Sequence, residues 1–160
     1  MKSITAIIIL FITFSSFAQR KPELETQKKQ KQEVKQTIME FFNGFHSGDT
    51  TLIKKTIHND LILQTISKDK EGKDFLHTDN VDKFLNSIAT RPSSQRWDER
   101  LLLFTIQVDG TMANVWTPYE FWYNEQFSHC GVNSFQLMNE NGVWKIIYLV
   151  DTRYKEGCLD

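Results

Sequence analysis

Two dipeptides, Asp109-Gly110 and Asn141-Gly142, constrain this chain most, because each joins two stretches in which apolar and polar residues alternate. Asx-Gly pairs supply the positive backbone angles that a tight hairpin loop demands, so each predicts an antiparallel pair of strands and its register. The extended stretches run from Trp97 to Val108, Thr111 to Tyr123, Phe127 to Asn139 and Val143 to Thr152. The last third of the chain is therefore expected to be one antiparallel sheet.

Register can be computed from the turns. Pairing Val108 with Thr111 puts Asp98, Arg100, Leu102, Phe104 and Ile106 on one face with Ala113, Val115, Thr117, Tyr119 and Phe121. Trp97, Leu101, Leu103, Met112, Trp116 and Trp122 fall on the other. Both faces carry large apolar groups, so both require a cover: helices for one and, most simply, a second subunit for the other. At Asn141-Gly142 the same arithmetic sets Phe135 with Tyr148 and Leu137 with Ile146, alongside Trp144 and Val150. A two-residue loop at Asn124-Glu125 would then leave Phe135 on the face opposite to Val115. One extra residue resolves the conflict, as a bulge near Pro118 or Gly131 or as a longer loop around Asn124 to Gln126. Bulges bend sheets, and a strongly bent sheet can enclose a cavity.

Upstream the period is helical. Val34, Ile38, Phe41, Phe42 and Phe45 form one stripe of a helix, which Gly48 ends, and Asp49 can cap a short second helix bearing Leu52, Ile53 and Ile57. Leu61 to Ile66 reads as a strand and Lys68 to Lys73 as a charged turn. Thr78 or Asp79 is placed to cap a third helix with Val81, Phe84, Leu85 and Ile88 at helical spacing, stopped at Arg91-Pro92. The polar residues 19–32 read as a linker and solvated helix start, and residues 33–158 as a single domain.

The first 18 residues read as a secretory leader: Lys2, an apolar run from Ile4 to Phe14, and small residues before a cleavage point after Ala18. The expected location is periplasmic or secreted, without stable membrane insertion after cleavage; an uncleaved anchor is the alternative. Nineteen basic residues against twenty acidic ones leave no field to gather phosphates, which argues against nucleic acid as partner. Cys130 and Cys158 could form a disulfide outside the cytoplasm or remain as one buried and one exposed thiol. No phosphate cradle or Gly-x-Ser-x-Gly elbow is present, the four histidines stand at no ligand spacing, and no metal or cofactor is expected.

Phe41-Phe42-Asn43-Gly44-Phe45-His46-Ser47-Gly48-Asp49, His58, Val108-Asp109-Gly110, Ala113-Asn114-Val115, His129-Cys130-Gly131 and Trp144-Lys145-Ile146 occur in an order that resembles the nuclear transport factor 2-like superfamily. The closer resemblance is to its small exported bacterial members, the SnoaL-like and lumazine-binding kinds, and covers roughly residues 30 to 158. It implies an α+β fold: a cone-shaped, curved antiparallel sheet, the cystatin-like roll, wrapped around a long N-terminal helix with two short helices. It also implies a pocket between that helix and the sheet, a homodimer through sheet faces, and functions from isomerases and cyclases to noncatalytic binders.

Candidate catalytic groups are His129 and Asp98. His129 stands in a strand near the expected pocket mouth, where an imidazole can act as base or hydrogen-bond a heterocycle. Asp98 could serve as base with Tyr119 as donor, but Arg100 beside it favours an ordinary ion pair. The stretch of helix 1 that would offer the tyrosine of a ketosteroid isomerase has Phe41, Phe42 and Phe45 instead. His46 reads as a cation at a helix C-terminus, and Arg153 as a strand-end ion pair or an anion ligand. Phe42, Phe45, Arg100, Tyr119, His129, Phe135 and Trp144 are the candidate ligand contacts, with Phe84 and Tyr148 as further aromatic walls. The reading favours a noncatalytic binder of a small aromatic or heterocyclic, lumazine-like molecule. The alternatives are an isomerase, cyclase or dehydratase using His129 or Asp98, and an interaction module working through the apolar sheet face.

Overall fold

The computed structural model describes the backbone of residues 3–158 and the side chains of residues 23–158; the expected leader and its cleavage point lie outside the residues whose side chains are described. In chain order the elements are α1 (Ser3–Ser47), α2 (Thr50–Thr56), β1 (Ile57–Lys68), β2 (Asp74–Asp79), α3 (Val81–Ala89), β3 (Trp97–Leu101), β4 (Thr105–Asp109), β5 (Met112–Tyr123), β6 (Gln126–Glu140) and β7 (Val143–Thr152). One curved, unclosed sheet contains every strand, in the order β2-β1-β7-β6-β5-β3, with β4 also paired to β5. Only β1 and β7 run parallel; the other pairs are antiparallel. This is the α+β architecture that the sequence implied. Among the described residues no helix is long and apolar enough to cross a membrane.

The α1 stripe does what its period requires. Val34, Ile38, Phe41, Phe42 and Phe45 are all buried against the concave side of the sheet, where they meet Val115, Phe135, Leu137 and Ile146. Burying each such side chain contributes on the order of 1.5–3 kcal/mol, an upper bound because the unfolded chain is already partly compact. Gly48 closes α1 in the left-handed region, and the Asp49 carboxylate accepts from the Leu52 N–H to cap α2. The third helix differs from expectation: Asn80, rather than Thr78 or Asp79, caps it by accepting from the Lys83 N–H. Residues 74–79 are instead an exposed edge strand, and Ile57 opens β1 rather than closing the α2 stripe.

Three irregularities set which side chains point into the concavity. The stretch expected as one strand from Trp97 to Val108 is split into β3 and β4. At Pro118 β5 has no N–H to offer, and residues 102–104 span the two β5 positions Thr117 and Pro118. That one-residue excess reverses the alternation, so Glu99, not Asp98, sits opposite Phe121. The β5–β6 loop is the tight pair Asn124-Glu125, both in the left-handed region, and the expected extra residue is Ser128, which puts His129 opposite Phe121 and Phe135 opposite Val115. The third is Ile147: Leu137 pairs with Ile146 as computed, but Phe135 pairs with Leu149 rather than sharing its place with Tyr148. Beyond Ile147, Leu149 and Asp151 turn inward and Val150 and Tyr148 outward.

The C-terminal tail returns to the sheet. Tyr154 and Cys130 exchange two backbone hydrogen bonds, and Cys130 and Cys158 form a disulfide, which decides between the two thiol readings.

Candidate functional site

Between α1, α3 and the inner face of the sheet lies an open-mouthed cavity of about 460 Å³, within the range of small-molecule sites. Its wall is aromatic: Phe41, Phe42 and Phe45 from α1, Phe84 from α3, Trp97 from β3, and Phe121 and Tyr123 from β5. Phe45 touches Trp97 and Phe121 at ring-centroid distances of 5.8 and 6.4 Å, so the wall is continuous. The floor is polar and comes from four neighbouring strands: Glu99 (β3), Tyr119 (β5), His129 and Asn133 (β6) and Asp151 (β7), with Arg153 just past the end of β7.

Two groups of this floor are locked together. Asp151 accepts from the Thr65 hydroxyl on one oxygen, and from Tyr119 Oη at 2.9 Å and Arg153 Nε at 2.8 Å on the other. With donors on both oxygens, Asp151 is a buried hub with three of its roughly four lone-pair sites engaged within the protein. Burial and the Asp151 carboxylate push Tyr119 far up, so it stays a phenol, its proton facing Asp151 and the Thr152 carbonyl 3.0 Å away. Burial opposes the charge of Arg153, but Asp151 beside it outweighs that and holds its pKa above the usual value. Arg153 is thus the ion pair of the two sequence alternatives.

Glu99 and His129 are differently placed. Burial pushes Glu99 up to about 8, against the opposing effect of a 2.7 Å hydrogen bond from Asn133 Nδ2 to Oε1. It is a carboxylic acid at neutral pH. Burial, helped by the Arg153 charge, pulls His129 down to about 4, so its imidazole is neutral. The ring stacks on Phe121 at 5.0 Å, and Nδ1 lies 3.1 Å from Ser128 Oγ.

Of the sequence candidates, Phe42, Phe45, Tyr119 and His129 line the cavity. Phe135 and Trp144 do not: both are packed in the core, and Trp144 Nε1 is, among the described residues, a buried donor without a partner. Asp98 and Arg100 are turned to the outer side by the β3–β4 irregularity. There they pair with each other at 3.0 Å, and Arg100 lies over the Trp122 ring. Tyr148 also faces outward and bonds Gln64. Of the two alternative bases, His129 lines the cavity and Asp98 does not.

His46 is not a cation. Its Nε2 accepts from the Glu99 N–H at 2.9 Å, and burial lowers its pKa, so the neutral ring carries its proton on Nδ1. The positive charge at the end of α1 comes from Arg91, which donates to the carbonyls of Phe45 at 3.2 Å and His46 at 2.7 Å.

Sequence reasoning missed Glu99, Asn133, Asp151 and Trp97. For Trp97 and Glu99 the signal is Pro118, whose missing N–H predicts a break in the strand beside it and hence a change of face for Trp97-Asp98-Glu99; Asp151 turns inward only through the extra residue Ile147. Among the described residues no group of three His, Cys, Asp or Glu side chains stands ready for a metal.

The sequence profile of a family described as "Putative lumazine-binding" matches residues 29–150. No curated protein sequence matches the chain. Solved structures do. An NTF2-like protein of unknown function from Shewanella baltica aligns with TM-score 0.59 and 11% identity over 80% of this chain and 96% of its own. A protein of unknown function from Mycobacterium tuberculosis aligns with TM-score 0.66 and 11% identity over 84% and 77%. A protein from Streptomyces avermitilis described as a putative dehydratase of the NTF2-like family aligns with TM-score 0.61 and 11% identity over 81% and 99%. At these identities the likeness concerns the fold.

Proposed function

The chain belongs to the family described as "Putative lumazine-binding", within the NTF2-like superfamily, and from that premise we propose that it is an exported, noncatalytic binder of a small, flat heteroaromatic molecule held in the cone cavity. The observation that carries this reading is the pairing of a ring-lined wall with a polar floor whose carboxylate, Asp151, is already occupied by three donors. Such a floor can orient a ligand by hydrogen bonds but offers no free anionic base. We place the protein in the periplasm or outside the cell after cleavage at Ala18. We also place a second copy on the outer sheet face, where Ile62, Met112 and Trp116 are each about half exposed.

Native mass spectrometry of the protein from its own host tests the reading. A bound small molecule with aromatic absorbance is expected, as is quenching of Trp97 fluorescence by pteridines or flavins. Phe45→Ala should weaken that binding by about tenfold, the loss of one ring contact with its area. A ligand-free protein whose fluorescence responds to no flat heterocycle would remove the proposal.

A second reading, a dehydratase or isomerase, has one observation in its favour. Glu99 is held as an acid and His129 as a neutral base in the same cavity, which is the separation that acid–base chemistry uses. In that reading His129 is the base, as expected, and Glu99 an acid that no sequence candidate supplied; His129→Ala abolishes turnover without weakening binding.

A further inference from the structure

Glu99 and Asn133 occupy one spot of the floor and face the cavity as a pair. Asn133 Nδ2 donates to Glu99 Oε1 at 2.7 Å, which uses one polar atom of each side chain. The other two, Glu99 Oε2 and Asn133 Oδ1, make no hydrogen bond among the described residues. Neither is sealed off, since Trp144 Nε1 is the one buried side-chain polar atom left without a partner among the described residues. Both therefore open on the cavity. Burial keeps Glu99 protonated, so its free oxygen carries a hydrogen while the free oxygen of Asn133 can only accept. The charged neighbours of Glu99, Asp151 and Arg153, neutralise each other, and the backbone N–H of Glu99 is taken by His46.

A donor and an acceptor that flank one hydrogen bond at the base of a ring-lined cavity have a complement: a planar heterocycle whose edge carries both C=O and N–H. We propose that Glu99 and Asn133 read the lactam or cyclic imide edge of a planar heterocycle, Glu99 donating to its carbonyl and Asn133 accepting from its ring N–H. The ring then lies against the wall that Phe45, Trp97 and Phe121 form. This deepens the binder reading and rests on it. A phenyl ring or a steroid skeleton fills the same walls but leaves both floor atoms unpaired in a water-poor site, which selects against it.

The test is a titration of the full-length mature protein near pH 6 with lumazine (pteridine-2,4-dione) and with its N,N′-dimethyl derivative, which keeps the ring and both carbonyls but has no ring N–H. Lumazine is expected to bind at least about tenfold more tightly than the dimethyl derivative, because the blocked edge strands the Asn133 acceptor. Glu99→Gln should stay within about threefold of wild type, since its amide accepts from Asn133 and donates to the ligand as the acid does. Glu99→Leu should lose about tenfold or more, with folding checked by circular dichroism. Equal binding of the two compounds, or a Gln variant as weak as the Leu variant, would overturn this inference and leave the binder reading standing. Failure of both compounds to bind would take down both readings.

Discussion

At the scale of single residues, the site depends on positions where no side chain fits as much as on those that carry chemistry. A Cβ at Gly131 would lie 1.7 Å from the Thr152 carbonyl oxygen and 3.1 Å from the Tyr119 ring. That carbonyl belongs to the strand supplying Asp151, so Gly131 lets β6 and β7 close around the Tyr119–Asp151 contact. Gly131→Ala is expected to destabilise by about 1–3 kcal/mol or more, because backbone must move. The check is a urea melt, and unchanged stability would mean that the close approach does not hold in solution. His46 and Arg91 carry a related lesson. A histidine in the last turn of a helix has the composition of a cationic cap, yet its role went to an arginine 45 positions later, while the imidazole became an acceptor for β3. Local sequence gave the place of His46 but not its partner, and the partner decides the protonation state.

At the scale of elements, three one-residue excesses shape the cavity: the segment 102–104, Ser128 and Ile147. Each bends its strand, and each exchanges the inner and outer faces on one side of itself. Their common effect is chemical. Toward the core end the inner face reads Val115, Phe135, Leu137 and Ile146; past the irregularities it reads Glu99, His129 and Asp151. The segment after β7 is then held against β6 by the disulfide and by two backbone hydrogen bonds, while Arg153 ties it to β1 and β7. Cys130→Ser together with Cys158→Ser should lower stability by about 2–4 kcal/mol, since the crosslink closes a loop of 28 residues. Limited proteolysis should at the same time cut the variant near residues 154–158. Uncut tails would show that hydrogen bonds alone hold the segment.

For the whole molecule, the buried titrating groups give stability a predictable dependence on pH. Glu99 is raised from 4.5 to about 8, so the folded chain keeps a proton that the unfolded chain releases, and its contribution is full below pH 4.5 and declines as pH rises toward 8. His129 is lowered from 6.5 to about 4, and His46 also is lowered, so their contributions are full above pH 6.5 and decline on acidification. Among these three, only Glu99 still titrates between pH 6.5 and 8. Wild type should there lose up to about 1.4 kcal/mol per pH unit relative to Glu99→Gln. Unfolding free energies of the two proteins that run parallel across that window would refute the buried acid. Although the first hairpin turns on Gly110-Thr111, with Val108 opposite Ala113 rather than Thr111, sequence by itself determined the elements that local rules govern: the α1 stripe, the Gly48 and Asp49 caps, the Asn141-Gly142 hairpin loop, most of the core and, through motif order, the superfamily. These follow from periodicity and turn chemistry, which a chain carries within a few residues of itself. Only the tertiary structure decided which acid enters the cavity, because alternation has a period of two and one unpaired residue anywhere along a strand inverts everything beyond it. Asp98 and Glu99 are adjacent in sequence and equally polar. What separates them is a proline on the neighbouring strand, a constraint that exists only once the strands lie side by side.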